Sequence, residues 1–549
     1  MLLPPNMLDW VPEGHAVRVV IGTVERLMTR ALIDRLVPPT EKGSAAGPAR
    51  YDPVMLLTVW MYGYLRGVLS TRAVEDRCRY DATFRVACGR EIPDHTTFSR
   101  FRQHLFAQKG LAEELFYQVL YVCACAGLGR LSVVAGDGVK IAANASKDAS
   151  RTEAGLRKLA GQVTADARNA AASEDAEQDV LPGTDLLLGA DVVPGPDPRS
   201  RAGRVLACLA GLQAARQAAE AAAREQGQAY LEAVAAGTAG SNAPAAVAVA
   251  AAQLRLELAI AAEEATLEAW QARKAAGGRV TRPPVRPGTG KKARNARARL
   301  QALQAAAAAE AGQGAAAPEK KKEPQRNITD PDSRLMPVRG GAFIQGYNCQ
   351  DAAADDRLML GGYACADTSD KLQAQELARV AGKGAAVVAA AHAAHAADPA
   401  LLTRCHHRLC TLPEKDRHSP DHDIAACHAA LTSGIGVLVA DAGYHSQANL
   451  TAPGPPRLIA DGKTRDMFNS EDSQPAADPG PVQANARRLR TPEGRALYKR
   501  RAPDVEGLHA SLKDNGGLRR FSLRGLHNAT SEFLFAGLAH NLRLLTAIS

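Results

Sequence analysis

Glu506 and Lys513 stand seven residues apart. That is close to two turns at about 3.6 residues per turn, so a carboxylate and an ammonium share one helical face. Tyr498, Arg500 and Arg501 come just before them and set the acid among cations. Such a group suits a site that handles a metal ion and a phosphate together, the acid for the ion and the cations for phosphate oxygens. The plainer alternative is a solvated helix with scattered charges. Local signals are helical: Pro503 suits a first turn, Asp504 and Glu506 lie near the positive end of the dipole, and Gly516-Gly517 stops the run.

Two further acids sit in apolar runs. Asp137 interrupts residues 131–141, which read as a buried strand. An unpartnered carboxylate there costs several kcal/mol, so it needs a divalent cation or a salt bridge such as Lys140. Asp441 ends the apolar run 436–440 and is followed two residues on by Gly443. The end of a strand is where open α/β sheets place ligand groups. Between these acids, residues 341–350 and 358–367 suggest a hairpin, and residues 371–397 a helix. The three acids are far apart in the chain, so only a fold can bring them together.

The elements around them fall into blocks. Residues 54–65 are apolar almost all round and predict a buried helix. Helices are expected from Ser70 and, after Pro93, from Asp94, both capping residues. The second carries Thr97, Ser99, Arg100 and Arg102 around a Phe98/Phe101 stripe. Short helices joined by a turn resemble a helix-turn-helix DNA reader, with Arg72, Arg77, Arg100 and Arg102 as phosphate contacts, although any compact helical bundle has this texture. Residues 151–325 are rich in Ala, Gln, Arg and Glu with Gly and Pro breaks, and read as a partly flexible helical insertion. At the far end Phe521, Phe533, Leu534, Leu538, Leu542 and Leu545 form a core face, leaving Arg519, Arg520 and Arg524 for DNA or solvent.

Over 549 residues the net charge is +9, from 67 Lys and Arg against 58 Asp and Glu. This favours a polyanionic partner, the more so because much of the excess falls in residues 487–524. The N-terminus breaks into prolines and then meets Asp9 and Glu13, unlike a signal peptide. No apolar run is expected to reach the ~18 residues of a spanning helix. Ten cysteines without regular spacing read as reduced cytosolic thiols. Cys405, Cys410, His418 and His422 are potential zinc ligands, but their spacing matches no standard finger.

Taken in order, residues 51–105, 137–146, 329–336 with 345–348, 440–444 and 506–544 resemble a bacterial insertion-sequence DDE transposase, closest to the IS1182 group of the IS4/IS5-like assemblage. The resemblance implies an α/β protein: an RNase H-like mixed-sheet catalytic core, an N-terminal all-α DNA-binding domain (1–125) and a long Ala-rich helical insertion (151–325). Residues 126–150 and 326–549 would form the core and C-terminal helices. It implies Asp137, Asp441 and Glu506 as the metal-binding triad, and sets the family's Tyr, Arg, Glu, Lys signature on Tyr498, an arginine, Glu506 and Lys513. Four residues separate Arg501 from Glu506, one more than the family pattern, so Arg500 and Arg501 both remain candidates.

Phosphodiester cleavage needs an activated water or 3′-hydroxyl and neutralised charge on the phosphate, which two Mg²⁺ ions, or Mn²⁺, supply when held ~3.5 to 4 Å apart by carboxylates. No covalent enzyme intermediate is required, so Tyr498 is not expected to be a nucleophile. The expected activity is binding of terminal inverted repeats, cleavage at the ends and joining of 3′-hydroxyls to target DNA. The expected form is a homodimer on DNA in the bacterial cytoplasm, at the nucleoid, with no membrane partner. The alternatives are an RNase H-like nuclease without strand transfer and an inactive or domesticated DNA-binding protein.

Overall fold

The computed structural model describes residues 7–37, 51–89, 91–162, 200–237, 243–279, 282–313, 324–338, 340–394, 434–462 and 480–548. The Cys405, Cys410, His418 and His422 cluster lies outside them. The chain divides into one unit of Met1–Ser150 with Thr329–Ser549 and a second of Arg151–Ile328.

The first unit is built on a six-stranded mixed sheet. Its strands are β1 (Val133–Ala142), β4 (Arg334–Pro337), β5 (Phe343–Ala354), β6 (Met359–Cys365), β7 (Val437–Ala440) and β8 (Arg457–Ile459). Strand β5 runs antiparallel to β1, β4 and β6, whereas β1, β7 and β8 run parallel. The expected hairpin is present as β5 and β6, turned through Arg357 at φ 68°. Strand β7 is buried at every position, as an interior parallel strand must be.

Helices α1 (Ala16–Leu27), α2 (Arg30–Leu36), α3 (Pro53–Leu65), α4 (Thr71–Tyr80), α5 (Ala82–Cys88), α6 (His95–Ala107) and α7 (Leu111–Cys125) precede the sheet. The apolar run 54–65 is α3, buried from Leu56 to Leu65. One expectation changes here. The helices opened by Ser70 and Asp94 are not joined by a simple turn, because α5 lies between them. Asp81 ends α4 and its carboxylate accepts from the Thr83 and Phe84 amides, so one short polar residue stops a helix and starts the next.

These helices share one hydrophobic cluster with the sheet and with the last helix, Leu526–Thr546. That helix is pinned to α3 by polar bonds as well. Tyr64 donates to Glu532 at 3.0 Å, and Arg543 donates to the Tyr64 and Leu65 carbonyls, both at 2.8 Å.

In the second unit, short strands β2 (Ser150–Thr152) and β3 (Gln325–Asn327) pair. Three long helices follow from the Ala-rich stretches: α8 (Arg201–Ala235), α9 (Ala245–Ala275) and α10 (Lys291–Gln313). Helices α8 and α9 touch at Gly227, where a Cβ would come 2.9 Å from the Ala251 nitrogen. The loop before α10 is fixed by Glu263, which accepts from the Gly288 and Gly290 amides at 2.9 and 3.2 Å. Among the described residues α9 is long and apolar enough to cross a membrane by length and composition, contrary to the expectation that no run would be. Its apolarity comes largely from alanine, which raises mean hydropathy without large side chains.

Candidate active site

Strand register brings the first two acids together. The parallel ladder between β1 and β7 runs to Gly136 opposite Ala440, so the next residue on each strand, Asp137 and Asp441, leaves it side by side. Each is steadied by a backbone amide: Gly138 donates to Asp137 Oδ1 at 2.8 Å, and Gly443 to Asp441 Oδ1 at 2.9 Å. Burial raises the Asp441 carboxyl above its usual value, and the Asp137 charge raises it further.

The third acid comes from a helix. Helix α14 (Pro492–Lys499) is followed by α15 (Arg501–Ala510), which continues into a π-helical turn, Ser511–Asn515, ended by Gly516 and by Gly517 at φ 68°. Glu506 and Lys513 both line a cleft of about 790 Å³ with Asp137, Lys140, Asp370, Asp441, Arg501 and His509. A shared face for Glu506 and Lys513 is therefore observed, with a widened π turn just where the lysine emerges, an irregularity frequent at functional sites. Burial lowers the Lys513 ammonium.

Arg500 and Arg501, adjacent in sequence, part company in space. Arg501 Nη2 lies 2.7 Å from Asp137 Oδ2 and 3.8 Å from Asp441 Oδ2. Arg500 turns the other way, to the fully buried Asp355 and, at 3.3 Å, to the Ser132 hydroxyl. Successive helical residues point about 100° apart, which is enough to send one into the cleft and the other to the buried carboxylate just past the end of β5. Tyr498 is 7 % exposed, on the end of α14.

Sequence reading missed several cleft residues. Asp370 Oδ1 accepts from Asn348 Nδ2 at 2.7 Å, Gln350 Nε2 at 2.8 Å and Lys140 Nζ at 3.3 Å. Lys140 thus pairs with Asp370, rather than with Asp137 as its sequence position suggested. The advance signal was the run of polar residues at Asn348, Gln350 and Asp351 in a strand that is buried from Gln345 onward. A Cβ at Gly138 would lie 2.6 Å from both Asp370 Oδ1 and Gln350 Nε2, so a larger residue there would push these two side chains aside.

The arginines expected to meet DNA divide. Arg72, Arg77, Arg100, Arg519 and Arg520 are exposed. Arg77 pairs with Asp81 at 3.3 Å and Arg519 with Asp514 at 2.5 Å. Arg102 is a correction: it is 9 % exposed, its guanidinium lies 4.9 Å over the Trp60 ring, and Nη1 donates to the Leu69 carbonyl at 2.7 Å. On α6 it falls beside the buried Phe98/Phe101 stripe, so it braces the bundle.

The donor set is all oxygen, as Mg²⁺ or Mn²⁺ prefers. Oδ2 atoms of Asp137 and Asp441 face one cationic nitrogen, so the pair fits a cation. Among the described residues no three His, Cys, Asp or Glu side chains are gathered tightly enough to hold a metal ion, so Glu506 lines the cleft without converging on that point.

Two family models match the chain, a Transposase domain (DUF772) over residues 5–104 and a Transposase DDE domain over residues 476–546. Over these two segments the chain is similar to insertion-sequence DDE transposases. The IS1182 group fits both models. The DDE match spans Tyr498, Arg501, Glu506 and Lys513, the helical side of the cleft, and DDE transposases are generally dependent on a divalent metal. None of the curated proteins and none of the solved structures compared with the chain matches it.

Proposed function

We propose that the transposase cleaves DNA at the ends of its own element and joins the 3′-hydroxyls to target DNA, using Asp137, Asp441 and Glu506 as its acid triad. The observation that carries this reading is the meeting of Asp137 and Asp441 at adjacent parallel strand ends, facing one guanidinium, in a cleft that Glu506 also lines. The mixed sheet, antiparallel around β5 and parallel from β1 to β8, supports an RNase H-like core. When bound, divalent ions on the three carboxylates would supply activation of the attacking hydroxyl and neutralisation of phosphate charge. Asp137 and Asp441 hold their oxygens at the cleft through the Gly138 and Gly443 amides. Arg501 and Lys513 carry the positive charge that seats phosphate oxygens.

Arg72, Arg77, Arg100, Arg519 and Arg520 are the exposed cations proposed to follow the DNA backbone. Two ends must be paired for joining, so a homodimer on DNA, in the cytoplasm at the nucleoid, completes the reading. The test is incubation with duplexes carrying the element's terminal inverted repeats and Mg²⁺, scoring cleavage and joining. Cleavage that persists in both Asp137→Asn and Glu506→Gln would sink the triad, and robust cleavage without joining would favour a nuclease.

A further inference from the structure

The cleft also holds a titratable pair that the acid triad, Arg501 and Lys513 leave unused. Asp351 stands opposite Asp137 in the antiparallel ladder and is fully buried. Its Oδ1 has no hydrogen-bond partner, and its Oδ2 meets His509 Nε2 at 2.9 Å. A buried carboxylate with so little compensation is tolerated when its one partner carries the opposite charge. Burial works against a charged imidazole, but the Asp351 and Asp137 carboxylates together hold His509 above its ordinary value. His509 is three residues after Glu506 and four before Lys513, one turn each way, and all three line the cleft. With Nε2 engaged by Asp351, Nδ1 is the nitrogen left for the cleft.

We propose that His509 is a DNA-phosphate contact of this site, its Nδ1–H donating to a non-bridging phosphate oxygen, and that Asp351 is the positioning residue that orients the ring. This rests on the reading of the cleft as the place of strand cleavage. A carboxylate behind an imidazole fixes which nitrogen faces the ligand, and a short rigid ring gives a more directed donor than a lysine. Donors already aimed at a phosphate need no reorganisation as charge develops on it.

The test measures strand cleavage of a terminal-repeat duplex with Mg²⁺ at saturating DNA, together with Tm, for His509→Gln, Asp351→Asn and His509→Arg. Expected is a loss of about 10²-fold in rate for the first two, a Tm for His509→Gln close to wild type, and partial recovery in His509→Arg. A pair that only ties helix to sheet gives the opposite pattern, a lowered Tm with an unchanged rate per folded molecule, and that overturns the proposal. A second readout is independent of turnover. In Asp137→Asn, which leaves the duplex uncut, the ¹⁵N resonance of His509 Nδ1 is followed as the duplex is added. A shift that disappears in Asp351→Asn supports the contact, and an unmoved resonance at saturating duplex overturns it. If wild type cuts no duplex, the cleavage reading fails by itself, and the resonance alone decides His509.

Discussion

Arg500 and Arg501 differ by one position and by everything around them. Arg500 reaches a carboxylate that is fully buried, Asp355, and removing the cation leaves that charge with the Ser132 hydroxyl at 2.7 Å and Arg130 at 3.7 Å. Arg500→Ala should lower stability by about 1–3 kcal/mol, read by chemical denaturation, while folded molecules keep their cleavage activity. Arg501→Ala should abolish cleavage with the fold retained; equal activity in the two variants would contradict this division of labour. Asp441 carries a stability cost of its own. Its carboxyl is raised by burial and by Asp137, and a raised carboxyl means the charged form is disfavoured in the fold, a penalty that grows as pH rises through that raised value. Asp441→Asn should therefore raise Tm at neutral pH without added metal while eliminating cleavage. A lowered Tm would contradict that sign.

At the scale of elements, the last helix holds the N-terminal helices to the sheet through buried polar groups. Glu532 is fully buried and accepts from the Tyr64 hydroxyl and from the Ser522 amide, at 3.0 and 2.8 Å. Glu532→Ala orphans both donors, and each buried unsatisfied group costs about 1–3 kcal/mol, so a clear fall in Tm is expected by calorimetry. His540, on the same helix, bonds the Arg357 carbonyl through Nε2 and Ser511 through Nδ1, both at 2.8 Å. A carbonyl only accepts, so Nε2 bears the proton and Nδ1 accepts from the hydroxyl, which is the neutral ring. Burial pushes its pKa down to about 4, against 6.5 ordinarily. Stability from the neutral ring is present above pH 6.5 and is lost as pH falls through the interval to about 4, on the order of 3 kcal/mol in all. Denaturation midpoints followed from pH 7 to 4 should show this loss, and His540→Gln should flatten it.

For the whole molecule, the second unit is entered and left through paired strands, β2 and β3. Paired strands lie about 5 Å apart, so a short Gly-rich link in place of residues 153–324 spans the gap. The excised protein should fold with a single cooperative transition, checked by circular dichroism melting; an unfolded product would mean that the first unit depends on the second.

How much of this was legible depends on the range of the interaction. Helix α3, the strand around Asp137, the β5–β6 hairpin and the common face of Glu506 and Lys513 follow from local pattern, because periodicity and turn chemistry act over a few residues. The spacing around Glu506 left Arg500 and Arg501 undivided, and nothing in the sequence marked Arg102 as buried, since an arginine near an apolar stripe reads as surface. Asp370, Asn348 and His509 went unread for the same reason, as their partners come from other strands and helices. The sequence by itself determined most element types, put forward the three acids and carried the family resemblance. Only the tertiary structure decided which cations face the acids, because that depends on strand register and helix rotation set by packing across the whole core.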